Sequence, residues 1–154
     1  MAQLYRNHGI SFTYPEEWSL SEESAGSTVA LTVAGPETSF WSLWLMYECP
    51  DPEQMLNSAV AAFSDDYDEV DVFQSVGQQC EYPCQECEIE FVSLELINTA
   101  CLRAFQTDRF SVLILHQGTD RELDYTRKDL EAITESLECD LDDDLALGRV
   151  GVEE

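Results

Sequence analysis

Basic side chains are scarce in this sequence: 7 Lys and Arg stand against 32 Asp and Glu, a formal net charge of −25. Binding to nucleic-acid phosphates relies on clustered cations that displace counterions, and the few basic residues here are scattered. Nucleic acid is therefore not expected as a partner, and anionic membrane surfaces are disfavoured for the same reason. What such a field attracts is a basic protein surface, a cationic ligand or divalent ions. The plainer alternative is that the charge serves solubility or a salty cytoplasm. Long apolar runs are missing too: no stretch reaches the roughly twenty residues that cross a bilayer. Residues 1–15, MAQLYRNHGISFTYP, lack a basic segment followed by an apolar run, so a cytoplasmic location is expected. No Pro/Gly/Ser-rich linker and no internal repeat divides the chain. Its 154 residues, 44% apolar, suffice for one core. We expect one domain over residues 1–139 and an acidic, mobile tail over 140–154.

What is present is a series of short strands and two helices. Asn7-His8-Gly9 signals a turn, after which Ile10, Phe12 and Tyr14 alternate with Ser11 and Thr13 as a half-buried strand does, ending at Pro15. Trp18 and Leu20 begin a short extended piece, and SEESAGS reads as a loop. Val29, Leu31 and Val33 share one face of a further strand, stopped by Gly35-Pro36. Residues 39–48, SFWSLWLMYE, are apolar at both parities and require cover on both faces of a sheet. Asp51 as N-cap, Pro52 at the first helical position and Gln54 mark a helix start. Met55, Leu56, Ala59, Val60 and Phe63 then form its apolar stripe. Four extended pieces follow, 69–75, 84–94, 96–106 and 110–116, close enough together to form an antiparallel meander. Thr119 and Glu122 make a capping box, and Leu123, Leu130, Ile133 and Leu137 mark the seam of a closing helix to about 138. The sum is an α+β sandwich: a mostly antiparallel sheet of about six to seven strands flanked by helices.

The stretch Ile10-Ser11-Phe12-Thr13-Tyr14-Pro15-Glu16-Glu17-Trp18 has the form F-x-Y-P-x-x-W. With the strands, mid-chain helix, meander and closing helix ending Ile133-Thr134-Glu135-Ser136-Leu137, it resembles the PsbP-like superfamily over roughly residues 4–138. That group includes the photosystem extrinsic protein, a Ran-binding import factor, DcrB-type lipoproteins and Eag-type secretion chaperones. The resemblance implies a PsbP-like sandwich that binds another protein without chemistry. It supplies no catalytic motif to carry over, and this chain departs from the lipoprotein branch in having no lipobox.

Cys80, Cys84 and Cys87 form a C-x3-C-x2-C stretch, the spacing that holds a four-iron cluster in large parallel-stranded barrels. If 84–94 is a strand, Cys84 sides with Glu86, Glu88 and Glu90, while Cys87 sides with Ile89 and Phe91. Thiols on opposite faces cannot share one ion, and nearby carboxylates with no adjacent Lys or Arg oppose thiolate formation. A zinc or iron–sulfur site on these cysteines, with Cys101 or His116 as fourth ligand, is kept as an alternative, as is a Cys84–Cys87 redox pair; ordinary strand cysteines and no cofactor are expected. Asp140, Asp142 and Asp144 open like a calcium loop, but Leu145 and Gly151 stand where a glycine and a bidentate carboxylate belong. No G-x-S-x-G, G-x-G-x-x-G, Walker or H-E-x-x-H motif occurs, which leaves a Cys101–His116 dyad as the one catalytic candidate and a non-enzymatic role as the expectation. Asp65, Asp66, Asp68, Glu69 and Asp71 follow the first helix, where negative charge opposes the macrodipole. Stability does not explain them, so they are candidates for contact with a basic partner. Trp18, Trp41 and Trp44, with Phe40 and Tyr47, are candidates for a groove taking a small apolar ligand or peptide; the plainer reading is core. A homodimer is compatible with all of this.

Overall fold

A computed structural model describes residues 2–139 of the chain; the expected tail and the calcium-like stretch lie outside the described residues. A hairpin comes first, formed by β1 (Ala2–Asn7) and β2 (Ile10–Pro15) around His8 and Gly9, both at positive φ. Positive φ at both central positions matches the right-handed twist of the flanking strands. Seven further strands form one antiparallel sheet: β3 (Ser19–Ala25), β4 (Thr28–Ala34), β5 (Phe40–Met46), β6 (Val70–Gln79), β7 (Tyr82–Ser93), β8 (Leu96–Gln106) and β9 (Ser111–Thr119). Their spatial order is β3-β4-β5-β9-β8-β7-β6. The helices are α1 (Pro52–Asp66) and α2 (Asp120–Ser136). Both start as the sequence indicates: Asp51 accepts from the Gln54 amide, and Thr119 and Glu122 close a reciprocal capping box.

Side-chain parity divides the interior into two layers. Trp41, Leu43 and Leu45 of β5, with Val29, Leu31 and Val33 of β4, face α2 and the β1–β2 hairpin. Ile89 and Phe91 of β7, with Ala100, Leu102 and Ala104 of β8, face α1. The sheet is thus sandwiched, with α2 and a small hairpin on one side and α1 on the other, an α+β architecture of the expected class. Two polar anchors hold α2 in place, one to the sheet and one from the residues after it to the β1–β2 hairpin. The fully buried Trp41 donates Nε1–H to Thr134 Oγ1 at 2.9 Å, and Ser11 exchanges backbone hydrogen bonds with Glu138.

Two strands depart from the sequence reading. SEESA, expected as loop, is most of β3, paired along its length with β4 from Ser19↔Ala34 to Ala25↔Thr28. It is an edge strand whose apolar contact with the core is Leu20, and the rest of it is held by ladder hydrogen bonds. β1 has the same character, since only Tyr5 of its six residues is buried. The closing helix stops at Ser136, where Leu137 turns extended as C-cap. Among the described residues no helix is long and apolar enough to cross a membrane.

Candidate functional site

The end of the sheet where β7 turns into β8 gathers several features that fold stability leaves unexplained. Its tip reads Val92-Ser93-Leu94-Glu95-Leu96-Ile97, and four large aliphatic side chains are exposed there: Val92 49%, Leu94 92%, Leu96 41% and Ile97 51%. Val92 and Ile97 are direct cross-strand partners. Leu94 and Glu95 occupy the turn with φ of 53° and 65°. Glycine or asparagine relieves that conformation, and a leucine there gains no burial in exchange. Exposed apolar groups clustered on a rigid hairpin mark an interaction surface more readily than a folding element.

The acidic run lies against this tip. Val70 pairs with Phe91, so the chain entering β6 through Asp68 and Glu69 runs beside Val92, and Asp71 sits directly opposite Glu90. Asp65, Asp66, Asp68, Glu69 and Asp71 are all exposed. The connection is firmly held: Tyr67 caps α1 by donating its amide to the Phe63 carbonyl, and its ring lies 4.3 Å from that of Phe91, with Phe63 at 5.2 Å from the same ring. No basic residue occupies the last turn of α1 to balance the carboxylates against the macrodipole. Directly opposed like charges such as Asp71 and Glu90 weaken a strand pair. The β6–β7 register thus runs Asp68 and Glu69 beside an apolar feature that the sequence reading treated as ordinary strand, while Asp65 and Asp66 end α1 and Asp71, between Val70 and Val72, faces the other side of the sheet.

The other candidates are dispersed. Trp18 covers Gly35 closely, where a Cβ would come within 3.0 Å of the indole, and lines a depression of about 760 Å³ with Tyr14 and Pro15. Trp41 is wholly buried on the α2 side. Trp44 pairs with Ala30 and Leu113 on the opposite face. The three indoles therefore line no common groove. Cys84 is buried in the layer under α2 and Cys87 in the layer under α1, so the three sulfurs of the C-x3-C-x2-C stretch do not converge. Burial raises the Cys84 thiol to about 11 and raises that of Cys87 as well. Among the described residues no group of three or more His, Cys, Asp or Glu side chains is arranged to hold a metal ion.

Cys101 and His116 are direct register partners on β8 and β9. Burial, reinforced by Glu88, pushes the Cys101 thiol up to about 11, while burial and then Arg127 and Arg103 push His116 down to about 4. A neutral thiol beside a neutral imidazole is the reverse of the thiolate that nucleophilic catalysis requires.

No protein-family model and no curated protein matches the sequence. Solved structures do match. The cyanobacterial PsbP (CyanoP) of Synechocystis sp. PCC 6803 superposes with a TM-score of 0.61 at 12% identity, over 90% of this chain and 92% of that one. LpqN of Mycobacterium tuberculosis, a protein involved in cell envelope biogenesis, gives 0.59 at 13% identity over 90% of each chain. A Bacteroides thetaiotaomicron protein gives 0.57 at 13% identity, and this chain, 85% covered, spans 45% of its length. The chain has the PsbP-like fold.

Proposed function

We propose that the chain is a non-enzymatic, chaperone-like protein-binding module that docks its partner on the β7–β8 tip and the acidic run beside it. The supporting observation is the pairing of Val70 with Phe91 and of Val92 with Ile97, which runs the acidic chain entering β6 alongside the exposed aliphatic side chains of the β7–β8 tip. The partner that fits is a protein with an apolar pocket rimmed by Lys or Arg. The aliphatic tip would supply the desolvated centre of the contact, and the carboxylates its steering and orientation. A second copy is a poor occupant, because a tip-to-tip contact would press two acidic frames of a −25 chain together. Anionic lipid is repelled in the same way. A cytoplasmic location belongs to this reading, supported by Cys49, Cys84, Cys87 and Cys101 remaining unpaired thiols.

The experiment is affinity capture with three baits: the wild-type chain, the five-fold acid-to-amide variant of residues 65, 66, 68, 69 and 71, and a tip variant carrying Val92→Ser, Leu94→Asn and Ile97→Thr. A protein retained by the wild type, lost from both variants and released above about 0.5 M salt, where screening shortens the field to a few ångströms, supports the reading. Capture that survives both sets of substitutions contradicts it.

A further inference from the structure

An unpaired sheet edge presents backbone N–H and C=O groups to any chain that can run alongside it, and folded proteins ordinarily blunt such edges with charge, proline, shortness or cover. The two edges of the seven-stranded sheet differ in this respect. β3 carries Glu22 and Glu23, and Glu22 is engaged from the β1–β2 hairpin by the Tyr5 hydroxyl at 3.0 Å and by His8 Nε2 at 3.1 Å. β6, at the opposite edge, is 10 residues long, holds no Pro, Lys or Arg, and has no strand beyond it among the described residues. Its charged residue, Asp71, lies near its start, and from Val72 onward the strand is uncharged.

Register gives each face of this edge a distinct chemistry. Phe73 continues the row of Glu88, Cys101, His116 and Trp41, which places it on the α2 side. Val76 continues the row of Gln85 and Ala104 on the α1 side. Phe73 is 56% exposed and Val76 75%, so neither helix covers them. On the α2 side β7, the strand behind the edge, presents Glu86, Glu88 and Glu90 at alternate positions, and Arg103 at 3.8 Å from Glu86 is the basic residue paired with this row. Little separates these carboxylates from the edge. Ser75 Oγ donates to Glu86 at 3.2 Å, and a Cβ on Gly77 would collide with Glu86 Oε2, so Glu86 already reaches outward over β6. Strands lie about 4.8 Å apart, and an outstretched glutamate and a lysine stem together span the two spacings between β7 and a strand added outside β6.

We propose that β6 accepts, as a further strand of the sheet, an extended segment of another protein in which Lys or Arg alternates with β-branched apolar residues. The basic side chains fall on the α2 side, where their stems lie along Phe73 and their charges meet Glu86 and Glu88. The apolar ones fall on the α1 side against Val76. Main-chain hydrogen bonds hold the segment, and the alternation fixes its register. Charge selects this occupant, because a second copy or an acidic segment would bring like charge against the carboxylate row of a −25 chain. The edge is separate from the β7–β8 tip, and its occupancy stands or falls independently of that docking surface.

The probe is a ten-residue peptide of alternating lysine and valine with blocked ends, and the readout is the backbone amide resonances of the labelled chain. Shifts and slowed exchange centred on β6 are expected, with β3 unmoved. A strand turns alternate amides toward its neighbour, so N-methylating all the lysines and N-methylating all the valines should give unequal results. One of these two peptides is expected to lose affinity by about tenfold or more, while the other binds like the parent. Phe73→Ser, at an exposed position outside the core, is expected to weaken the parent peptide by about tenfold. The proposal is overturned if the two N-methylated peptides behave alike, since plain charge attraction does not distinguish alternate amides. It is overturned equally if a glutamate–valine peptide binds as well as the lysine–valine one, or if Phe73→Ser binds like the wild type. Shifts on β3 in place of β6, β6 unmoved up to about 10 mM peptide, or dimerisation of the free chain through β6 would overturn it as well.

Discussion

Acidification from pH 7 to pH 4 loads the buried imidazole of His116 in the unfolded chain but not in the folded one. Burial and the neighbouring Arg127 and Arg103 hold the native side chain at about 4, against an ordinary value of 6.5. Stability from this source is therefore complete above pH 6.5, falls as the pH drops towards 4, and levels off below, because only the unfolded state takes up the proton across that window. At roughly 1.4 kcal/mol per pH unit, the gap corresponds to about 3 kcal/mol. That is a large share of the 5–15 kcal/mol that typically holds a domain together. Carboxylates titrate in the lower part of the same window, so the assay must be a difference: urea unfolding of the wild type and of His116→Leu at half-unit steps from pH 7.5 to 4. The variant's own stability offset cancels from the slope, and the wild type is expected to lose up to about 3 kcal/mol relative to the variant as the pH falls. Parallel curves, or a native His116 resonance titrating near 6.5, would refute the reasoning.

Three further outcomes are expected. Leu94→Asn with Glu95→Gly places a favoured turn pair at two positive-φ positions; stability should hold or rise by up to about 1 kcal/mol in thermal unfolding, while partner capture is lost. Glu122, 5% exposed, accepts from the Thr38 amide at 2.8 Å, the Thr38 hydroxyl at 2.6 Å and the Thr119 amide at 2.9 Å. Burial raises its pKa, but these donors outweigh that and leave it lowered. Glu122→Gln should therefore cost about 1–3 kcal/mol at pH 7, and the difference from wild type should shrink as the pH falls through the native carboxyl's pKa, read by urea unfolding. Trp41→Phe removes the buried hydrogen bond to Thr134 and leaves its hydroxyl short of a donor; a loss of about 1–3 kcal/mol in chemical denaturation is expected.

Where a segment's own side chains decide its environment, the sequence announces the structure. The alternation in β4 and β7, the double-sided apolarity of β5 and the two helix caps are local signals. The parity that sends Cys84 and Cys87 to opposite layers follows from the same rule. β3 carries such a signal only at Leu20; the SEESA that follows offers no large apolar side chain and becomes a strand through the ladder that β4 offers it. The exposed β7–β8 tip was hidden in the sequence. VSLELI has the composition of ordinary strand, and Leu94-Glu95 lacks the glycine or asparagine that advertises a tight turn. The visible hint was a break in alternation at Leu96-Ile97, two adjacent aliphatics that cannot share a face. The pairing of Cys101 with His116 depends on register across the β8–β9 turn. Thr107 Oγ1 fixes that turn locally by accepting from the amides of Arg109 and Phe110. The acidic run was legible as a list of residues, but its place beside the tip required the β6–β7 register.

Amide hydrogen exchange on the isolated chain and on its complex with the captured partner tests the docking claim most directly. Slowed exchange confined to residues 65–71 and 92–97, with β3 at the opposite edge unchanged, is the expected result. Protection centred on β3 or on the β1–β2 hairpin, with the β7–β8 tip exchanging as in the isolated chain, would contradict it.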